Sequence, residues 1–434
     1  MDRGIFRRYR RLPVALVGLF TCCIAICAHA QVGTELDPVS TNYGRYVSFI
    51  LAPGDEGSDN DSPLVAYENR SLGRQGLAVT RCFDPLCREL SFATLDDRGS
   101  SNQAGVFGRI LRGADGNAVI VHLKIGVGAA MRVIRCTQSN CLGGMAPPNT
   151  LNTIELDQGQ ALNMDAAIGS DGFPVIAARL VDGGTNLGLW VIKCTDPVCE
   201  LPAIQTQIDP TRPLAGLVID LVIGASGFPQ IAFSDREVQG SNGEVALLSC
   251  NDLACAGQDE TLSVFDILGG STGRIIDMKI SASGFPVIAY AGTLSTLRVI
   301  SCNDPICAGG DDLPNIVNTL SPVNQAIAMD LNSQGFPAFA AHSTSADNLE
   351  IIFCNDVACA GDDERSVDVF DADNQDIASG AWVDTVFDSS DRLQIVYQTV
   401  ERAGPSNFLG SLYNIRCVID GCSLVFSDRF EAAP

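Results

Sequence analysis

Along this chain, short blocks of β-branched and other apolar residues are separated by clusters of Gly, Pro, Asn, Asp and Ser. Within many blocks apolar and polar positions alternate, and no stretch after the first thirty residues shows the three-and-four spacing of an amphipathic helix. Period-two alternation bounded by turn residues predicts β-strands throughout. Between residues 274 and 320 the pattern resolves into four strands, 274–281, 286–291, 297–302 and about 315–320, joined as a meander. Some strands, such as Val218-Ile219-Asp220-Leu221-Val222-Ile223, are apolar on both sides, as expected for a sheet covered on both faces.

This four-strand unit recurs. A turn and strand spelled Gly172-Phe173-Pro174, Gly227-Phe228-Pro229, Gly284-Phe285-Pro286 and Gly335-Phe336-Pro337 appears in four copies, with degenerate forms at Ser62-Pro63, Gly116-Asn117 and Asp391-Arg392. Each precedes a pair of cysteines spaced C-x4-C: Cys82/Cys87, Cys136/Cys141, Cys194/Cys199, Cys250/Cys255, Cys302/Cys307, Cys354/Cys359 and Cys417/Cys422. A fixed pair at a near-constant interval marks a repeat protein. Turn residues such as Asn303-Asp304-Pro305 between the partners reverse the chain and bring the sulfurs together, so seven local disulfides are expected. Thiolate metal binding is the alternative, but structural zinc needs four converging ligands, which separate hairpins supply poorly.

The start of the chain changes the setting. Arg3, Arg7, Arg8, Arg10 and Arg11 precede an apolar run from Val14 to Ile26 and then Ala28-His29-Ala30, the order of a cleaved secretory signal over residues 1–30. The run is short for a membrane span, so the processed chain, 31–434, is expected to be one soluble domain, secreted, periplasmic or at the cell surface. Export explains the cysteine content. The formal charge of −23 becomes more negative once the basic segment leaves, which excludes a nucleic-acid partner.

Seven four-stranded antiparallel repeats, one local disulfide each, predict an all-β, seven-bladed β-propeller; a β-solenoid is the alternative. The G-x-P hairpins and C-x4-C turns resemble secreted bacterial propeller repeats and, more distantly, the Asp-box repeats of sialidase-like propellers. Ser170-Asp171-Gly172 departs from the Asp-box order and no Trp follows, so the resemblance implies architecture only. The ending Phe426-Ser427-Asp428-Arg429-Phe430-Glu431 looks like the F-x-D-x-F-E termini of many Gram-negative secreted proteins. The last blade is expected to complete itself with residues 423–430, and the echo of 153–157 in 34–37 makes the N-terminal segment the other candidate.

In a meander the G-F-P turns and the stapled turns share one rim, while variable loops, such as the long one from Asp235 to Gly243, share the other. Ligand sites favour variable loops on a rigid frame. Seven residues before the turn glycine, or its equivalent, the innermost strands carry Asp165, Asp220, Asp277 and Asp384, with Arg109 in the second repeat and Ala328 in the sixth. A carboxylate cluster at the channel mouth would hold a cation, with Ca2+ the candidate. The structural alternative is that each Asp accepts backbone N–H bonds from the next blade. The loop Asp55-Glu56-Gly57-Ser58-Asp59-Asn60-Asp61 resembles a calcium loop in composition without EF-hand spacing. His122 and His342 occupy equivalent strands and are read as packing residues, and Trp190 and Trp382 lie within strand patterns. The expectation is a monomeric, non-enzymatic binding scaffold for an extracellular protein or glycan. The alternative is a glycan-active hydrolase or lectin-like propeller using rim carboxylates, favoured by an exposed aromatic floor beside two carboxylates.

Overall fold

The computed structural model describes residues 34–36, 43–52, 61–71, 75–85, 87–99, 103–138, 141–142, 149–235, 243–268, 275–292, 295–317, 323–343, 348–361, 363–369, 377–404, 407–418 and 423–425. Residues 1–30, expected to be a signal, 55–60 of the acidic segment 55–61, and 236–242 lie outside them.

Six sheets are four-strand meanders in which sequence order is spatial order, and a seventh sheet completes the propeller. Blades 1 to 7 begin with the inner strands Tyr43–Ala52, Gln103–Arg112, Gln160–Ile168, Ile219–Ile223, Ile276–Ile280, Val323–Leu331 and Ile377–Phe387. Each inner strand packs against the next, and the last against the first, so the ring closes. The four strands expected in the fifth repeat are found at Ile276–Ile280, Pro286–Ala291, Leu297–Ser301 and Asn315–Val317. Among the described residues no helix is long and apolar enough to cross a membrane.

Apolar faces of adjacent blades form the core, which explains why strands such as Pro229–Asp235 are buried at every position. One cluster joins Val175, Ala177 and Leu189 of blade 3 to Leu221, Ile231 and Phe233 of blade 4, and equivalent clusters fill the other interfaces.

The G-F-P turns fold as the sequence implies. The N–H of Gly172 donates to the carbonyl of Gly169, and Gly172 has φ +85°. Glycine also matters for packing. A Cβ on Gly284 would stand 2.8 Å from that of Ala225 in the preceding blade's turn, so these turns touch around the stapled rim.

Six expected disulfides are present: Cys82–Cys87, Cys136–Cys141, Cys194–Cys199, Cys250–Cys255, Cys302–Cys307 and Cys354–Cys359. Their number suits an oxidising compartment. In all six the second cysteine takes a left-handed conformation, with φ between +48° and +55°. That is uncommon for a residue with a side chain. The turn Asp helps hold it: Asp196 accepts from the N–H groups of Val198, Glu200 and Leu201. Burial would raise this carboxyl, but those backbone bonds hold it below the ordinary range. The fixed turns serve as docking points. Asn152 Nδ2 donates to Val198 O (2.9 Å), and Asn315 Nδ2 to Ala358 O (3.1 Å), in each case from a blade's outer strand to the next blade's turn.

Cys417 is buried, and its expected partner Cys422 lies outside the described residues. Thiol titration of a chain comprising residues 31–434 under denaturing, non-reducing conditions is expected to find no free thiol. Two thiols per chain would remove the seventh bridge.

The seventh blade is closed from both ends of the chain. Thr34 and Glu35 pair with Asn414 and Tyr413 of the third strand, and Ser423–Val425 pair with Val418–Arg416 further along it. The fourth strand is thus split between the N- and C-terminal candidates.

Candidate functional site

The inner-strand positions counted in the sequence are structurally equivalent, and Ser48 of blade 1 shares their place. Ser48, Arg109, Asp165, Asp220, Asp277, Ala328 and Asp384 each pair across to Ala or Val of the second strand: Ala66, Val121, Ala177, Ala232, Ala289, Ala340 and Val396. A small neighbour leaves these side chains room to reach sideways.

They reach the next blade. Asp165 accepts from Leu221 N–H (2.7 Å), Asp220 from Met278 N–H, Asp277 from Met329 N–H (2.7 Å) and Asp384 from Phe49 N–H (2.9 Å). Ser48 Oγ accepts from Ile110 N–H at 3.4 Å. In blade 6 the function passes from Ala328 to Asp330, one pleat further on, which accepts from Phe387 N–H at 2.6 Å. Arg109 spans the remaining step, its Nε donating to Asp165, and its Nη2 extends to Asp220 at 3.1 Å. Every inter-blade step around the channel therefore carries one polar tie, which is the structural alternative set out above. Asp330 and Ser48 complete the ring and were missed by counting from the turn glycine.

Two cations lie among five carboxylates. Lys279 Nζ donates to Asp277 Oδ1. Burial would lower both cations, but the carboxylates of Asp165 and Asp220 around Arg109, and of Asp277 and Asp220 around Lys279, raise them well above their ordinary values. Burial, followed by the charges of Asp165 and Asp277, pushes Asp220 up. Burial also raises Asp384, and it lifts Asp330 to about 6.

Among the described residues, the ligating side chains close enough to share one ion are Cys302, Cys307 and Asp312, and those cysteines are joined in a disulfide. The ring carboxylates are not brought together in threes in that way.

An aromatic wall stands beside the ring. Tyr46, Phe107 and Trp382 each lie two residues before one of these equivalent positions (Ser48, Arg109 and Asp384), toward the variable rim, on neighbouring blades 1, 2 and 7. Tyr46 contacts both others, with ring centroids 4.7 Å from Phe107 and 4.2 Å from Trp382. All three are half-buried. Their inner strands are interrupted here by register shifts, between Arg45 and Ser48, Val106 and Arg109, and Ser379 and Val383. Tyr46 and Phe107 both have φ +50°. A bulky residue in this region is a backbone outlier, held only when its surroundings demand it. Bulges of this kind re-aim side chains.

The remaining sequence candidates are packing residues. His122 is fully buried; its Nδ1 accepts from Gly105 N–H at 3.2 Å, and Nε2 lies 3.3 Å from Asp96. Burial would raise Asp96, yet His122 and Arg132 hold it below the ordinary range. His342 is fully buried, and Trp190 is buried with its N–H on Leu187 O.

No protein-family model matches the chain, and no curated protein is similar to it in sequence. Solved structures of similar shape include a PL25 ulvan lyase bound to a -[GlcA(1-4)Rha3S]- saccharide, 8% identical, with a TM-score of 0.49 over 89% of this chain and 94% of that one. The α-L-arabinanase of Penicillium chrysogenum is 10% identical, with a TM-score of 0.44 over 88% of this chain and 98% of that one. A protein of unknown function from Dyadobacter fermentans is 11% identical, with a TM-score of 0.44 over 71% and 93%.

Proposed function

We propose that this is an exported binding propeller that takes a saccharide at the variable-rim mouth of its channel. The observation that carries the reading is the wall of Tyr46, Phe107 and Trp382, assembled by bulges in three blades, two of them strained. Nothing in ring closure requires aromatics there, since blades 4 and 5 place Val218 and Ile275 two residues before Asp220 and Asp277. Clustered aromatic rings, tilted by about 50° to one another, offer apolar faces and edges to a sugar ring, and Arg109 nearby supplies a hydrogen-bond donor. The ring carboxylates are committed to holding neighbouring blades, which favours binding over hydrolysis.

Glycan-array screening followed by calorimetry tests this. Trp382→Ala and Tyr46→Ala should each cost about 1–2 kcal/mol of binding, a loss of roughly five- to thirtyfold, while Trp382→Phe retains most affinity. Melting temperature checks that the variants fold. Failure of the processed protein to bind any saccharide ends the reading, and release of shortened sugars replaces it with the enzymatic one.

A further inference from the structure

We propose that the saccharide carries an anionic group, a carboxylate or a sulfate, seated on Arg109 and Lys279. The inference rests on the saccharide reading above and specifies its ligand class.

The first argument is what a ligand in the channel can touch. The side chains of Arg109 and Lys279 are 33% and 31% exposed, whereas those of Asp165, Asp220 and Asp277 are 3%, 5% and 11% exposed. The two cations are thus more exposed than the three carboxylates that pair with them, while Asp330 and Asp384 are partly exposed as well.

The second argument is which hydrogen-bonding capacity remains unused. Asp165, Asp220 and Asp277 each give one oxygen to the next blade's backbone and the other to Arg109 or Lys279. Arg109 uses Nε and Nη2, and among the described residues its Nη1 has no partner. Lys279 Nζ has Asp277 as its hydrogen-bond partner, leaving two N–H groups. Arg109 and Lys279 therefore keep spare donors, while both oxygens of each of the three carboxylates that pair with them are engaged. A charged acceptor makes hydrogen bonds roughly twice as strong as a neutral one.

Charge balance sets the condition under which the anion enters. Facing the two cations are Asp165, Asp220, Asp277, Asp330 and Asp384, so with every group ionised the ring is negative. Burial raises Asp220, Asp330 and Asp384, and Asp330 lies at about 6. Acidification from neutrality then protonates Asp330 while the ligand's carboxylate or sulfate stays ionised, and the cations face the anion with less competition. Affinity for the anion should rise as pH falls from 7 to 5.5. The negative outer surface also disfavours a densely charged polymer, so one anionic residue within a short saccharide is the expected form.

The test uses hexuronate and sulfated trisaccharides beside their neutral counterparts of the same linkage, titrated calorimetrically into the processed protein at pH 7 and 5.5. The acidic member of at least one pair should bind at least tenfold tighter, more so at the lower pH. Lys279→Gln should remove most of that preference without weakening the neutral sugar, and Lys279→Arg should keep it. Lys279 is the primary variant because Arg109 is tied into two blades. Equal binding of acidic and neutral members, or equal losses for both in Lys279→Gln, overturns the anion proposal and leaves the saccharide reading standing. Binding of neither member of any pair overturns both.

Discussion

Deleting residues 34–36 should destabilise the propeller by more than about 3 kcal/mol, a larger loss than removing 423–434. Leu36 is fully inaccessible and packs with Val47, Phe49 and Tyr67 of blade 1 and Val396 and Leu412 of blade 7. Its N–H donates to Leu412 O at 2.8 Å, and its carbonyl accepts from Thr80 Oγ1 at 3.2 Å. One residue thus joins the last blade to the first by packing and by two hydrogen bonds. Leu36→Ala alone should cost about 2–4 kcal/mol, within the range for leucine truncation in a core. The C-terminal piece contributes three register pairs near Cys417. Losing the N-terminal piece also bares the edge of Asn407–Val418, an invitation to aggregation. Urea midpoints for both truncations and for Leu36→Ala give the ranking, and a C-terminal deletion that costs more than the N-terminal one sinks it.

That ranking reverses the one the sequence suggests, and the reason is physical. Thr34-Glu35-Leu36-Asp37 echoes 153–157 in pattern, so pairing could be foreseen, but the burial of Leu36 depends on how two blades meet across the closure. The blades themselves were legible because their signals are local. A disulfide over five residues and a glycine at φ near +84° need only their neighbours in the chain. The Asp ring was legible as a position, because the distance to the turn glycine is constant in regular strands. Its partners were not, since a carboxylate's bond to the next blade's N–H is a contact between repeats. Asp330 escaped because the polar tie moves one pleat along its strand, keeping the same face. The aromatic wall escaped for a different reason. Tyr46 and Phe107 enter it through non-glycine residues at positive φ within a register shift, and neither strand propensity nor alternation signals such a bulge.

Replacing Arg109 with Met should cost about 3–5 kcal/mol at pH 7, with the loss narrowing as the pH falls. Methionine keeps much of the volume, so the effect isolates the charge. Arg109 is partly exposed but its two partners are buried, so removing it leaves the carboxylates of Asp165 and Asp220 without their shared cation. In the parent protein burial already raises Asp220, and Arg109 opposes that rise. Without the guanidinium its folded-state value moves further above the unfolded one. Stability from a raised carboxyl is fully present below the unfolded value of roughly 3.9 and is lost as pH climbs through the folded value. The deficit of the Arg109 variant should therefore be largest near neutrality and smallest near pH 4. Adding Asp220→Asn should recover part of it at pH 7, because the amide oxygen can still accept from Met278 N–H while one stranded charge disappears. Denaturant titrations of the parent, Arg109→Met and Arg109→Met/Asp220→Asn at pH 7 and 4.5 decide the matter. A loss under about 1 kcal/mol at pH 7, or one that is the same at both pH values, would show that the ring is held by its backbone N–H ties alone and that Arg109 is free to serve only the ligand.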